Sequence, residues 1–134
     1  MKPFALDPKM LTMAGVFYPT GHIMAMVPDH HGAMQVAKDI EAIPDHGDVS
    51  LLEPAAVIHE IGPTARGSDD GVLPSAGTEA ATVRQFVDLA QQGQYGLLIR
   101  VPNDEQATRV MDILHANRFS YAQRYHMLAI EDIV

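Results

Sequence analysis

The chain has 134 residues, of which 47% are hydrophobic and 19% are charged, and its formal net charge is −8. It contains no cysteine, which excludes disulfides, thiolate metal sites, iron–sulfur clusters and thiol nucleophiles. The negative charge disfavours nucleic acids and anionic membranes as partners, because both repel an acidic surface. This size and composition predict one soluble globular domain spanning residues 1–134.

The amino-terminal segment predicts neither a secretory signal nor a membrane span. Residues 1–9 contain two prolines and an aspartate before any apolar run develops. The most apolar stretch, residues 10–27, is broken by two glycines, a proline and a histidine. We therefore expect a cytoplasmic protein, with an edge strand or a hairpin around the turn-forming residues 18–21.

Residues 22–42 predict the first strand and the first helix. An apolar strand over residues 22–27 is followed by Pro28 and Asp29, and an aspartate at a helix start accepts a hydrogen bond from an unpaired backbone N–H. Apolar residues then recur at the i, i+3, i+4, i+7 spacing of one helix face. These residues are Ala33, Val36, Ala37 and Ile40. The pattern predicts an amphipathic helix that packs against the sheet.

The adjacent histidines His30 and His31 at the start of this helix raise the question of a metal site. Neighbouring helical side chains point about 100° apart, so two adjacent histidines do not readily hold one ion. We interpret the pair as solvated first-turn residues, and we predict no metal and no cofactor. His59 and Glu60 lack the second histidine four positions on that a zinc-binding helix requires, which favours an ordinary histidine on a strand.

Residues 50–92 predict a strand, a long loop and a helix. The strand covers residues 50–61 and is interrupted at Pro54. Residues 62–77 contain four glycines and two prolines, which indicates a loop that is either functional or disordered. Within it, Asp69-Asp70 favours a solvated turn, with a hard-cation site as the alternative. Residues 78–92 then predict a helix, with Thr78 as its cap and Val83, Phe86, Val87 and Ala90 on its buried face.

The second half of the chain repeats the first at an offset of 74 positions, so that residues 27–29 (VPD) align with residues 101–103 (VPN). Ala33, Val36 and Ala42 align with Ala107, Val110 and Ala116. The repeat predicts a strand over residues 95–101, a helix capped by Asn103 with Gln106 completing a capping box, and a last strand over residues 122–133. One unit covers residues 21–61 and its copy covers residues 95–133.

The resulting order of elements is β-α-β, loop, α, β-α-β. Such split βαβ units form a four-stranded antiparallel sheet with helices on one face, so the pattern predicts an α+β, ferredoxin-like fold with one extra helix. The repeat, with its Asp or Asn helix start, resembles small bacterial ferredoxin-like domains such as stress-protein and ligand-sensing modules. The resemblance covers about 80 of the 134 residues. It implies a fold and a tendency to oligomerise, and it assigns no functional residue.

Strand alternation predicts a second apolar face on the sheet. If Ile23, Ala25 and Val27 face the helices, then His22, Met24 and Met26 face the other side, together with Leu98 and Arg100. A face this apolar does not remain in water. We expect a second copy of the chain to cover it in a two-fold symmetric homodimer. The alternative is that residues 1–20 fold over it.

The candidate functional residues are His22 and Arg100 on the repeat-related strands, and Arg124, Tyr125 and His126 near the end of the chain. Together they could bind a small carboxylate or supply general acid–base groups; an interface with satisfied polar groups is the alternative. RNA binding is disfavoured, because the aromatic-and-glycine signature of RNA-binding sheets is missing and the net charge is negative.

These observations predict a homodimeric ligand-binding or regulatory module. The alternative is a small enzyme built on a dimeric α/β barrel, in which His22 or His126 transfers protons and Arg100 or Arg124 steers a small anionic substrate. The two hypotheses make different demands on the apolar face. An enzyme needs His22 and Arg100 to converge on a pocket, whereas a module packs that face against a partner.

Overall fold

The computed structural model describes residues 1–68 and 77–134. Its strands are β1 (Lys2–Pro3), β2 (His22–Val27), β3 (Val49–Leu52), β4 (Tyr95–Arg100), β5 (Tyr121–Tyr125) and β6 (Ile130–Asp132), and its α-helices are α1 (His30–Glu41), α2 (Pro54–Ala56), α3 (Gly77–Gln91) and α4 (Asp104–Ala116). The predicted α+β class is confirmed. In this part of the chain no helix is long and apolar enough to cross a membrane.

Four antiparallel strands form the centre of the sheet, and one short strand is added at each edge. The order across the sheet is β1-β3-β4-β2-β5-β6. β4 pairs antiparallel with both β2 and β3, and β2 pairs antiparallel with β5. β1 pairs parallel with β3, which makes the sheet mixed. The predicted four-stranded, purely antiparallel sheet is therefore wrong in strand count and pairing, and the ferredoxin-like assignment stays a prediction.

The second predicted strand is shorter than expected because Pro54 starts a helix. β3 ends at Leu52, and residues 54–61, predicted as strand, are helical. Pro54 has no N–H to donate to a sheet ladder, whereas its fixed φ suits the first turn of a helix. The apolar residues of this segment therefore pack against one face of the sheet and do not lengthen a strand.

The helical segment continues past α2 as a π-helical turn (Val57–Ile61) and a 3-10 helix (Gly62–Ser68). His59 consequently lies on the π-helical turn and not on a strand, which corrects its predicted position. The first part of the predicted loop over residues 62–77 is also helical. Asp69 and Asp70 lie outside the described residues.

The last predicted strand, residues 122–133, is divided into the hairpin β5–β6. β5 pairs with β2 only as far as Arg124 opposite Ile23, close to the start of β2, so a longer strand would find no partner there. The chain reverses instead, and the N–H of His126 donates to the carbonyl of Ala129 at 2.8 Å. The tip of the hairpin carries two largely exposed apolar side chains, Met127 and Leu128.

Helices α1 and α4 cover one face of the sheet, and both begin at the predicted caps. Oδ1 of Asp29 accepts a hydrogen bond from the N–H of Gly32 at 2.7 Å, and Oδ1 of Asn103 accepts one from the N–H of Gln106 at 2.9 Å. The Gln106 side chain donates to the carbonyl of Pro44 and does not close the predicted capping box. The predicted apolar faces are buried as Ala33, Val36, Ala37 and Ile40 of α1 and Ala107, Val110 and Leu114 of α4.

The opposite face of the sheet is covered by the chain itself. Met24 and Met26 are fully buried and Leu98 nearly so, against α3, the helical segment after β3 and part of the amino-terminal segment. The covering residues include Val57, Ile61, Val83, Phe86 and Ala90, with Val16 and Phe17. The helices of the two repeat units, α1 and α4, thus share one face, and the predicted extra helix, α3, lies on the other. This chain itself covers the face that a second copy was expected to cover, and residues 1–20 provide part of the cover, while the homodimer stays a prediction.

Helix α3 matches its predicted position within one residue at each end. It ends before Gly93, whose φ of +90° is a conformation that favours glycine. Another glycine, Gly96 in β4, permits the close packing below α3. A Cβ added there would lie 2.9 Å from Cε of Met24 and 3.3 Å from Cβ of Leu52.

The edge strands are both short. β1 contains two residues, of which one is Pro3, and β6 contains three, including Glu131 and Asp132. The Gln123 side chain donates a hydrogen bond to Oδ1 of Asp132 at 2.6 Å, which ties β6 to β5. The long strands of the sheet are thus all internal.

The intramolecular cover predicts a large loss of stability on truncation of Phe86, which is fully buried between α3 and the sheet. We expect Phe86→Ala to lower the free energy of unfolding by about 3–5 kcal/mol, from lost burial and the cavity left behind. Met34→Ala on the exposed side of α1 is the matched control and should change it by about 0.5 kcal/mol or less. Urea unfolding followed by circular dichroism measures both, and a loss below about 1 kcal/mol for Phe86→Ala would contradict the intramolecular cover.

Candidate functional site

His22 and Arg100 lie opposite each other on β2 and β4, as the repeat predicts. Asp48, just before β3, is close to both residues and forms an ion pair with Lys2 of β1 at 2.9 Å. Nδ1 of His22 lies 3.1 Å from the carbonyl oxygen of Thr20. His22 is partly buried, whereas the Arg100 side chain is exposed. The predicted pair is thus brought together, at the end of the sheet and near its surface.

The surroundings of His22 favour its neutral form. Burial lowers the pKa of His22 and the Arg100 guanidinium lowers it further, while the carbonyl of Thr20 and the carboxylate of Asp48 act in the opposite direction. The hydrogen bond from Lys2 holds the pKa of Asp48 below its ordinary value. A neutral imidazole can accept a proton, so the chemistry predicted for His22 is possible at this position.

Arg124 and Tyr125 point to opposite faces of the sheet and do not share one site. Arg124 is paired with Ile23, which faces α1 and α4, and its guanidinium donates to Oδ1 of Asp104 in α4 at 2.8 Å. Tyr125 is buried on the other face, among the residues under α3. The set of candidates predicted from the sequence is therefore divided between two faces.

His126 lies in the turn after β5 and not on a strand, because β5 ends at Tyr125. Its Nε2 lies 2.9 Å from a carboxylate oxygen of Glu131 in β6. Its backbone carbonyl accepts a hydrogen bond from the hydroxyl of Tyr18 at 2.7 Å. His126 consequently fixes the β5–β6 hairpin to the amino-terminal segment through its backbone.

A cleft of about 340 Å³ opens beside this contact. Tyr18 and Glu79 lie on its walls, and we call it the Tyr18–Glu79 cleft. Its other lining residues are Lys9, Leu11, Thr12, Thr20, Met127 and Leu128. They come from the amino-terminal segment, the start of α3 and the tip of the β5–β6 hairpin. The volume lies at the small end of the range of about 300–1,000 Å³ that is usual for ligand sites.

Aromatic rings pack edge to face beside the cleft. The ring centroids of Tyr18 and Tyr125 are 5.0 Å apart at an interplanar angle of 79°, and those of Phe17 and Tyr125 are 6.1 Å apart at 70°. Such edge-to-face contacts are favourable, because the positive edge of one ring meets the negative face of the other. With its hydroxyl bonded to His126, the Tyr18 ring is held in one orientation.

Two buried polar atoms at this place have no hydrogen-bond partner within residues 1–68 and 77–134: Oε2 of Glu79 and the hydroxyl of Tyr125. Tyr125 is 1% exposed. The Glu79 carboxylate acts electrostatically on both Tyr18 and Tyr125, so the unpartnered atoms belong to one cluster. Two other clefts have volumes of about 440 and 450 Å³, but none of the residues lining them has such an atom.

The tyrosines of this cluster are neutral hydrogen-bonding groups. Burial raises the pKa of Tyr18, and the nearby Glu79 carboxylate raises it further. Burial also raises the pKa of Tyr125, with additional contributions from Tyr121, Tyr18 and Glu79. Their hydroxyls therefore keep their protons at physiological pH. They can donate and accept hydrogen bonds, and they are unsuited to act as bases.

Sequence reasoning identified Tyr125 but missed Tyr18 and Glu79. One signal for Glu79 was present: it lies four residues before Val83 and so extends the apolar face of α3. A glutamate on an apolar helix face is unusual and calls for a partner. Tyr18 gave no comparable signal, because its role depends on a contact with His126, a residue 108 positions away.

The adjacent histidines do not belong to a metal-ion cluster in the described part of the chain. His30 and His31 are the first residues of α1, as predicted, and the ring of His30 contacts that of Tyr95 with the centroids 5.3 Å apart. Across residues 1–68 and 77–134, no group of three or more histidine, aspartate or glutamate side chains is placed to hold a metal ion.

No family model matches this chain, and no curated protein and no solved structure shows significant similarity to it. Its function is therefore inferred from the chemistry of its own residues.

The environment of His22 predicts a pH-dependent stability. Because its pKa is lowered in the folded state, the unfolded chain takes up a proton at His22 at a higher pH than the folded chain does. The free energy of unfolding should therefore fall as the pH drops below the ordinary histidine value of about 6.5. Urea unfolding between pH 5 and 8 should show a weaker decrease on the acid side for His22→Gln than for the wild type.

His115 provides the matched control, because its pKa is raised by the backbone oxygens of Val134 and Met111. Its contribution to stability is present below the ordinary histidine pKa and is lost as the pH rises through the folded value. His115→Gln should therefore change the pH profile in the opposite direction. Parallel profiles for His22→Gln and the wild type would contradict the inferred environment of His22.

Proposed function

We propose that this protein is a small-molecule-binding module whose ligand lies in the Tyr18–Glu79 cleft. The observation that carries the proposal is Glu79, whose carboxylate lines the cleft and whose Oε2 has no hydrogen-bond partner in the described residues. Buried polar groups are nearly always hydrogen-bonded in folded proteins, and each one left unpaired costs about 1–3 kcal/mol. A polar ligand group that bonds to the Glu79 carboxylate would remove this cost, whereas the unpartnered hydroxyl of Tyr125 does not line the cleft.

The walls of the cleft suit a ligand with a polar end and an apolar body. Thr12 and Thr20 add hydroxyl groups, and Leu11 adds an apolar surface. Met127 and Leu128 are 80% and 94% exposed, and contact with the apolar part of a ligand would bury them. Polar surface exceeds apolar surface in the lining, so the polar groups form the larger part of what a ligand would contact.

A binding role has more support than the alternative of an enzyme. The tyrosines at the cleft have raised pKa values, which suits hydrogen bonding and not proton abstraction. His22 and Arg100, the residues of the enzyme hypothesis, line none of the three clefts described above. His126 and Arg124 are engaged by Glu131 and Asp104. A substrate bound near them would have to displace these partners.

The proposal includes a ferredoxin-like core formed by the units β2-α1-β3 and β4-α4-β5. Its support is the order β3-β4-β2-β5, in which β4 lies between the two strands of the first unit and β2 between those of the second. This is the interleaving expected of two split βαβ units. The added cover of α3 gives such a core a second layer and, at its margin, the cleft. A ligand-sensing or regulatory role fits this architecture.

The Glu79 carboxylate gives a sharp test of this proposal. We expect Glu79→Ala, which removes the carboxylate from the wall of the cleft, to weaken ligand binding by about tenfold, the usual contribution of one good hydrogen bond. Tyr125→Phe removes an unpaired buried hydroxyl outside the lining, so it should leave the free energy of unfolding unchanged or raised by up to about 1 kcal/mol. Saturation-transfer NMR with a mixture of cationic, neutral and anionic fragments measures binding, and urea unfolding measures stability.

Tyr95→Phe is the matched control, since Tyr95 packs against His30 on the other side of the sheet and should leave fragment binding unchanged. Native mass spectrometry of freshly purified protein adds a direct search for a bound metabolite. Fragment binding that is equal in the wild type and Glu79→Ala would refute the proposed site. A loss of stability above about 1 kcal/mol in Tyr125→Phe would show that the hydroxyl has a partner within the protein.

The homodimer expected from the sequence stays a prediction. Because the apolar sheet face is covered within the chain, a dimer would have to bury a different surface. Size-exclusion chromatography with light scattering, over a dilution series, distinguishes the 14.6 kDa chain from an assembly of twice that mass. A mass of one chain at every concentration would refute the homodimer.

A further inference from the structure

We infer that the ligand of the Tyr18–Glu79 cleft carries a protonated amine on a short apolar body. This inference rests on the proposed function and specifies the chemical class of the ligand. The geometry that carries it is a carboxylate on the wall of the cleft, with one buried, unpartnered oxygen, and the ordered ring of Tyr18 on the same cleft.

The first argument is the charge of Glu79. A carboxylate only accepts hydrogen bonds, and the hydroxyl hydrogen of Tyr18, on the same cleft, is already donated to the carbonyl of His126. In residues 1–68 and 77–134 the Glu79 carboxylate forms no ion pair, and Lys9 on the rim is exposed and does not reach it. A buried carboxylate oxygen is stabilised most by a cationic donor, because charge-assisted hydrogen bonds are about twice as strong as neutral ones.

The second argument is the aromatic and hydroxyl surroundings of that oxygen. An ammonium group has three donors, so after bonding to the Glu79 carboxylate it has donors left for another acceptor on the wall, such as the hydroxyl oxygen of Tyr18. The face of a tyrosine ring also attracts cations, and the Tyr18 ring is held on the wall of the cleft. An anion would be repelled by Glu79. A neutral alcohol could donate to the carboxylate but would leave its charge uncompensated.

The third argument is the rim. Leu11, Met127 and Leu128 are the apolar residues of the cleft, and the last two are largely exposed at the tip of the hairpin. An alkyl group attached to the amine would contact them while the ammonium lies at Glu79. The net charge of −8 also favours the approach of a cation over that of an anion.

Three probes with one carbon skeleton test the inference: 3-methylbutylamine, 3-methylbutanol and 3-methylbutanoate. They present a cation, a neutral hydroxyl and an anion on the same apolar body, so a difference between them reports the head group alone. We expect the amine to bind at least about tenfold more tightly than the alcohol, and the carboxylate to show no binding. Chemical-shift titration of labelled protein gives the three affinities and, from the resonances that move, the location.

Glu79→Gln keeps the size of the side chain and removes its charge. We expect it to weaken amine binding by about tenfold or more and to leave alcohol binding nearly unchanged. Glu105→Gln on α4 is the matched control, because Glu105 is exposed and pairs with Arg109 on the other side of the sheet. It should leave the affinity for all three probes unchanged. Unfolding in urea confirms that both variants are folded.

The outcomes separate the inference from the proposed function. If the alcohol binds as tightly as the amine, and Glu79→Gln affects neither, the cleft binds ligands but does not select amines, and the inference is overturned. If 3-methylbutanoate binds most tightly, the inference is likewise overturned while the cleft remains a binding site. If none of the probes moves resonances of the cleft at millimolar concentration, the inference fails, whereas the proposed function is decided separately by the fragment screen with Glu79→Ala.

Discussion

The pairing of β2 with β4 is the constraint on which the rest of the molecule depends. Both strands lie inside the sheet, and β2 is fully buried from Ile23 to Val27, so both of its faces must be covered. Helices α1 and α4 cover one face, and α3 with the helical segment after β3 covers the other. The cleft exists because the second cover is assembled from separate pieces, the amino-terminal segment, α3 and a hairpin, which leave a gap where they meet.

The features of the fold that could be predicted are those set by local sequence. The caps Asp29 and Asn103 and the apolar spacing of three helices each act over a few residues, and all of them match the structure. The errors have two origins, one local and one in the wider context. Pro54 turned an apolar run into a helix, and the end of β2 forced the last strand to reverse. The apolar side chains of Met24 and Met26 correctly predicted that the second face is covered. Strand alternation, however, does not tell which element covers it.

The candidate site was predictable only in part, for the same reason. Strand alternation placed His22 and Arg100 on one face of two repeat-related strands, and the structure pairs them directly. Tyr125 was selected for its residue type alone, because the sequence did not show on which face of the sheet its side chain lies. The cleft brings together Tyr18, Glu79 and the hairpin tip, which no periodic pattern connects. The most useful signal that went unused was Glu79, an acidic residue on the apolar side of α3. A charged residue within an apolar helix face indicates a polar partner or a ligand.

The two short edge strands have a consequence for how this molecule behaves when crowded. An exposed edge with free backbone donors can template the addition of another chain and start an open-ended aggregate. Here β1 offers little to such an addition, because one of its two residues is Pro3, which has no N–H. β6 presents Glu131 and Asp132, whose charges would meet the same charges on an identical edge. Both edges of the sheet therefore disfavour the addition of further strands. An extensive apolar interior is in this way compatible with edges that resist fibre growth.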